Sequence, residues 1–227
     1  MSEFSKKTLE TRERLSRYDV DELILQRSSP RSMTGDSISE EELMTLFDAA
    51  RWAPSSFNRQ PWNFVYAQRA SPYWDSFFEA LSDANKVWCA KAAVLVVLVS
   101  NQYDPENPEQ KFETASFDCG AAWENLSLQA VQDDLVVHGM EGFDKNAIAQ
   151  IVRVAAHQKV EMMFALGAPV RRLEQNEDGT RKDKITTRKD LDAFVHRNFL
   201  KPAGIKNPSS EKNLRHESPV IRNQRAT

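Results

Sequence analysis

Glycine is scarce in this chain: only Gly35, Gly120, Gly139, Gly142, Gly167, Gly179 and Gly204 occur in 227 residues. They spell no GxGxxG, no Walker A loop and no GxSxG, so the dinucleotide-fold, P-loop and α/β-hydrolase readings lose their main signature. Histidine is scarcer still. His138, His157, His196 and His216 are scattered and form no HExxH, which removes support for a zinc hydrolase. Cys89 and Cys119 have no CxxC and no close histidine, and are read as buried, reduced thiols.

A basic excess is also missing. Lys and Arg number 30 against 33 Asp and Glu, a net charge of −3, so nothing is available to neutralise a nucleic-acid backbone. A small phosphorylated cofactor needs only a few local cations. The longest apolar run, Val94 to Val99, falls far short of the ~20 residues a bilayer-spanning helix requires. The N-terminus is charged throughout and has no apolar h-region, so no secretory leader is expected. With 41% hydrophobic and 28% charged residues, the expectation is a cytoplasmic, soluble protein built on one core, without nucleic-acid or membrane partners.

What is present centres on Arg51 to Trp62 (RWAPSSFNRQPW). The stripe Leu43, Leu46, Phe47, Ala50 has core-facing helical spacing behind a Ser39/Glu42 capping box. Pro54 must end that helix, since it has no N–H to donate and disfavours helix in the residue before it. Ser55, Ser56, Asn58, Arg59 and Gln60 then sit at the helix exit, where two hydroxyls, amides and a guanidinium form a polar wall suited to a planar, hydrogen-bonding ligand. An ordinary polar loop closed by Trp62 fits the same composition.

Upstream, residues 1–18 read as a helical lead-in. Asp19 with Glu22 is a capping pattern for a helix carrying Val20, Leu23 and Ile24. That helix runs into Gln26-Arg27-Ser28-Ser29-Pro30-Arg31, a set of guanidiniums and hydroxyls suited to a monophosphate, or equally a solvated helix end favoured by the dipole. Downstream, Asn63–Ala67 reads as a strand. Ser71-Pro72 opens a helix with Trp74, Phe77, Phe78 and Leu81 on its core face, and the run at 94–99 reads as a strand buried on both sides. Residues 101–113, with two prolines, are a surface loop, of a length that suits a lid or a tolerated insertion alike.

Cys119, Ala122, Trp123, Leu126 and Ala130 mark a long core helix over 115–132. A short strand at 135–137 leads to His138-Gly139-Met140-Glu141-Gly142-Phe143-Asp144, whose glycines allow positive φ and close approach to a ligand. A plain strand-to-helix turn accounts for it as well. Asp144 can cap a helix carrying Ile148, Ile151, Val152 and Ala155. Residues 161–166 form another buried strand, 171–184 an exposed charged stretch with an Asp178-Gly179 turn, and Thr186-Thr187-Arg188 precede a helix with Leu191, Phe194 and Val195. From Lys201 the composition turns polar and charged, as in a disordered or partner-wrapping tail.

In combination these segments resemble the FMN-dependent nitroreductase family from about Asp19 to Leu200. Arg27-Ser28-Ser29-Pro30-Arg31 is similar to the family's RRSxR segment, with Ser28 in place of the second arginine. Ala53 to Trp62 is similar to APSSxNxQPW, Gly139 to Asp144 to the GMxGFD loop, and Arg188 with Leu191 to the late RxxL site. The resemblance implies an α+β, three-layer fold with a mostly antiparallel central sheet flanked by helices, homodimeric, with FMN at the subunit interface.

It divides the chain into a lead-in (1–18), an FMN-binding domain (19–200) and a tail (201–227). Arg27, Ser28, Ser29, Arg31 and Arg188 would hold the phosphate and ribityl chain. Pro54, Ser55, Ser56 and Asn58 would approach from the other subunit. Asn85 would bond the pyrimidine side of the flavin, and Met140, Glu141 and Gly142 would lie near its N5. No side chain need act as acid or base, and no metal is implied. The activity implied is hydride transfer from NAD(P)H to nitroaromatics or quinones by a ping-pong mechanism. A flavin carrier or sensor of the same fold, or a reductase of activated alkenes or halogenated aromatics, are the alternatives.

Overall fold

The computed structural model describes residues 14, 16–170, 186–198 and 200. The charged stretch 171–184, the tail 201–227 and residues 1–13 and 15 of the lead-in lie outside them. The chain divides into a unit over 1–185 and a second over 186–227.

The first unit is a sheet covered on both faces. Its strands are β1 (Trp62–Gln68), β2 (Val94–Asn101), β3 (Val136–Met140) and β4 (Gln158–Gly167), in the order β1-β2-β4-β3, and every pairing is antiparallel. Its helices are α1 (Glu22–Gln26), α2 (Glu40–Arg51), α3 (Trp74–Glu79), α4 (Asp83–Cys89), α5 (Ala115–Gln132) and α6 (Lys145–Ile151). Alternate side chains of each strand go to opposite faces. Val94, Val96, Leu98, Val137, Phe164 and Leu166 pack with Leu43, Leu46 and Ala50 of α2 and Ala122, Leu126 and Ala130 of α5. Leu95, Val97, Val99, Val136, Met163 and Ala165 pack on the other side with Trp74, Phe77, Cys89 and Ile148. Double cover explains why β2 is apolar at every position from Val94 to Val99 instead of alternating.

Local signals account for the starts of α2 and α6. Ser39 accepts from the Glu42 N–H while Glu42 reaches back to the Ser39 N–H, closing the expected capping box. Asp144 caps α6 through the N–H groups of Asn146 and Ala147. Several expectations are corrected. The cap of α1 is Asp21, which accepts from Leu23, and not Asp19. Ser71-Pro72 form a turn before α3, which begins at Trp74. Val152 and Ala155 lie beyond the end of α6, and Leu191 to Ala193 form a single 3₁₀ turn where a longer helix was expected. His138 to Met140 belong to β3, not to a loop. Residues 101–113 form a surface excursion closed by a bridge between Tyr103 and Lys111, with Phe112 buried at its return.

The β2–β4 register slips between Leu98, which pairs with Met162, and Val99, which pairs with Val160, so Glu161 is the extra residue of a bulge. Its carboxylate accepts from Ser100 Oγ at 2.5 Å, Ser116 Oγ at 2.7 Å and Lys159 Nζ at 2.8 Å. Burial pushes this carboxyl up, but the bonds from Lys159, Ser100 and Ser116 outweigh it and hold it below the ordinary value of 4.5. A carboxyl depressed by folding adds stability above its unfolded pKa, and that contribution is lost as pH falls through the folded one. Glu161→Gln is therefore expected to flatten the loss of stability below pH 4.5. Urea midpoints of both proteins measured down to about pH 3 check this. Identical acid limbs would contradict it.

Candidate functional site

Residues 27–34 run without helix or strand from the end of α1 to the sheet, where Met33 bridges to Pro169 and the Thr34 N–H donates to Ala168 O at 3.0 Å. This path lays Ser29, Pro30 and Arg31 beside His138 of β3. His138 Nδ1 lies 2.7 Å from Ser29 O and 3.2 Å from Pro30 O, and Arg31 Nε is 3.5 Å from His138 Nε2. The His138 ring packs on Trp88 with centroids 4.6 Å apart, and the Arg31 guanidinium lies 5.7 Å from the centre of the same indole.

From Trp88 the contacts continue. Its indole N–H donates to Asn85 Oδ1 at 3.1 Å, and Asn85 Nδ2 donates to Gly142 O at 2.9 Å. The Ser82 N–H donates to the same carbonyl at 2.8 Å, pinning the start of α4 to the loop after β3. Neither Gly139 nor Gly142 has positive φ; among the described glycines only Gly35 does. Gly142 allows close packing instead: a Cβ there would lie 2.7 Å from Ser82 Oγ and 2.8 Å from Asn85 Nδ2, so one or both side chains would have to shift. Five expected residues, Ser29, Arg31, Asn85, Glu141 and Gly142, thus lie along one path of contacts or next to it.

Arg27 stands at the other end of the 27–31 segment. Its side chain is 15% exposed, pairs with Glu124 of α5 at 3.5 Å and donates to Ser29 Oγ at 3.1 Å. Ser28 is half-buried between them. Met140 turns its sulfur toward Cys89 at 3.9 Å, so its side chain belongs to the core and only its main chain can face a ligand. Arg188 lies in the second unit, where its guanidinium donates to Thr186 Oγ1 at 2.9 Å.

The 54–60 loop is anchored on α5. Buried Asp118 accepts from the Ser56 N–H at 3.2 Å and from Thr114 Oγ1 at 3.0 Å, and Ser55 Oγ accepts from the Gln60 N–H at 3.0 Å. Phe57, Asn58 and Gln60 all have left-handed φ, of 53°, 55° and 48°. Such a conformation is costly for a bulky residue and concentrates at functional sites. Arg59 stacks on Phe57 and Phe112, 4.9 and 4.6 Å from the ring centres, tying this loop to the 101–113 excursion. Pro54 and Asn58 are exposed, as are Trp52 (74%), Phe57 (88%) and, at the start of α5, Phe117 (80%).

Sequence reasoning missed His138, Glu124, Asp118 and Ser82. Asp118 alone left a signal, as an acidic residue beside the apolar positions of a core helix. The cysteines behave as expected. Burial pushes both thiols up to about 12, with nearby Arg31 opposing the effect at Cys89 and Glu161 and Asp118 adding to it at Cys119. Neither is a nucleophile at neutral pH. Iodoacetamide at about pH 8 is expected to leave both unmodified in the native protein and to alkylate both in urea, as mass spectrometry would show. Rapid native modification of either would contradict the burial.

The sequence model of the Nitroreductase family matches residues 24–87 and 72–168, and the chain belongs to that family. A solved oxidoreductase containing FMN is 35% identical and superposes with a TM-score of 0.77, covering 83% of this chain and 96% of that one. A Desulfovibrio desulfuricans chain solved in complex with FMN is 21% identical, with a TM-score of 0.60 over 82% of this chain and all of that one, and shares the fold. An Archaeoglobus fulgidus protein named "Putative NADH dehydrogenase/NAD(P)H nitroreductase" is 32% identical over 108 residues, 48% of this chain. That match spans 59% of the relative's length. The α+β fold with helices on both sides of an antiparallel sheet is thus the family's fold, as expected.

Proposed function

We propose that this chain is an FMN-dependent oxidoreductase that takes hydride from NAD(P)H and passes it to nitroaromatics or quinones. The observation that carries this reading is the path from Ser29 and Arg31 through His138 and Trp88 to Asn85 and Gly142. It sets a guanidinium and a hydroxyl, Arg31 and Ser29, at one end and the Asn85 amide at the other, groups suited to a phosphate joined to a flavin ring.

Arg27, Ser28, Ser29 and Arg31 would hold the phosphate and ribityl chain. Asn85 would hold the pyrimidine edge, with Glu141 and Gly142 beside N5. Bound FMN supplies the chemistry by accepting hydride from one reactant and giving it to the next. The protein's share is to orient both reactants against one flavin face and to keep the ring fixed by Asn85 and the 141–142 main chain.

The family resemblance supports a homodimer, in which the exposed Trp52, Phe57 and Phe117 would find cover. In that dimer Pro54, Ser55, Ser56 and Asn58 of the partner subunit would complete the site. Among the described residues no helix is long and apolar enough to cross a membrane, which accords with a cytoplasmic enzyme.

The test is steady-state turnover with NADPH or NADH and menadione varied together. Parallel double-reciprocal lines are expected, because one face serves both reactants in turn. Intersecting lines would contradict the ping-pong step. A flavin-loaded protein with no turnover would favour a carrier or sensor.

A further inference from the structure

We infer that His138 is a positioning residue that sets the phosphate end of the cofactor site. This rests on the proposed reading of residues 27–31 as the phosphate segment. Residues 27–32 belong to no helix or strand; main-chain bonds hold the two ends, Arg27 N–H to Leu23 O at 3.2 Å and Val170 N–H to Ser32 O at 3.4 Å, and side-chain bonds hold the middle. His138 comes from the rigid sheet and reaches two carbonyls of that segment, Ser29 O at 2.7 Å and Pro30 O at 3.2 Å. Carbonyls only accept, so Nδ1 carries a proton, and it is the Arg31 Nε–H on the other side of the ring that requires Nε2 to be the acceptor. The bare Nε2 then faces the Arg31 Nε–H, at a long 3.5 Å.

One imidazole thus does three things. It ties the Ser29-Pro30 main chain to β3, presents an acceptor that orients the Arg31 guanidinium, and abuts Trp88, which in turn holds Asn85. A protonated Nε2 would turn a donor toward a donor. The neutral Nδ1–H tautomer is therefore the one compatible with the Arg31 Nε–H contact.

The experiment compares FMN with riboflavin, which has the same ring and no phosphate, by titration into apoprotein. His138→Phe keeps a ring against Trp88 and removes both nitrogens. It is expected to weaken FMN at least about tenfold and riboflavin by no more than about twofold. His138→Asn keeps an N–H near the Nδ1 position and is expected to recover part of the loss. Unchanged FMN affinity in His138→Phe, or equal losses for both flavins, would overturn the inference.

The wild-type protein supplies an independent measurement if a variant fails to fold. Its imidazole ¹⁵N spectrum at neutral pH should show His138 as the Nδ1–H tautomer, with Nε2 responding to FMN and not to riboflavin. An Nε2–H tautomer would overturn the inference. Wild-type protein that binds FMN no more tightly than riboflavin would overturn the phosphate assignment itself, whatever His138 does.

Discussion

Phe164→Ala is expected to lower the free energy of unfolding by about 3–5 kcal/mol, the cost of emptying a buried aromatic site. Phe164 is fully buried on the face of β4 that meets α2 and α5, and its ring lies edge-on to Phe64 with centroids 6.3 Å apart. Phe47 continues the row, 5.3 Å from Phe64. Truncation leaves a cavity bounded by a strand paired on both sides and by two helices, a frame that closes poorly around a void. The urea midpoint should fall while the slope stays constant. A loss below about 1 kcal/mol, the ordinary size of a point substitution's effect, would mean that this face of the sheet is packed differently.

Arg27→Ala is expected to raise the FMN dissociation constant about 10- to 100-fold. Hydrogen bonds to charged groups contribute about 1.5–3 kcal/mol, and each 1.4 kcal/mol is about tenfold. In the structure Arg27 is engaged by Glu124 and Ser29, which hold the guanidinium at the head of the segment before any ligand arrives. Two effects could weaken binding in this variant: the lost cation, and a segment freed from α5. Glu124→Gln separates them, because it removes the ion-pair partner and leaves the cation. FMN affinity in Glu124→Gln is expected to stay close to wild type. An unchanged dissociation constant in Arg27→Ala would contradict the phosphate assignment.

The parts of the fold legible in the sequence were those written in periodicity and caps. The 115–132 helix was marked by small and apolar residues at regular spacing, and its ends match the structure. The apolar run at 94–99 correctly announced a strand covered on both faces. The loop at 54–60 was correctly placed at a helix exit, because Pro54 forces the stop.

Features that depend on residues distant in the chain were not legible. The helix α4 has seven residues, and its N-cap Ser82 makes no side-chain capping bond; Ser82 is held instead by a main-chain bond to Gly142. Nothing in the string DANKVWC announces it. The bulge at Glu161 arises from a register slip between strands, which no single-strand pattern records. His138 read as one of four scattered histidines, and its partners Ser29 and Pro30 lie more than a hundred positions earlier. Of the two properties the 139–142 glycines suggest, positive φ is absent, while close approach is present at Gly142 beside Ser82 and Asn85.

The central claim, that FMN on this protein accepts hydride from a nicotinamide and gives it to an acceptor, is tested most directly by the absorbance spectrum of FMN-loaded protein under anaerobic conditions. Addition of NADPH or NADH is expected to bleach the flavin band near ~450 nm within seconds, and menadione is expected to restore it. Protein that stays colourless after incubation with FMN and gel filtration would contradict the cofactor assignment, and a yellow protein that neither nicotinamide bleaches would contradict the oxidoreductase reading.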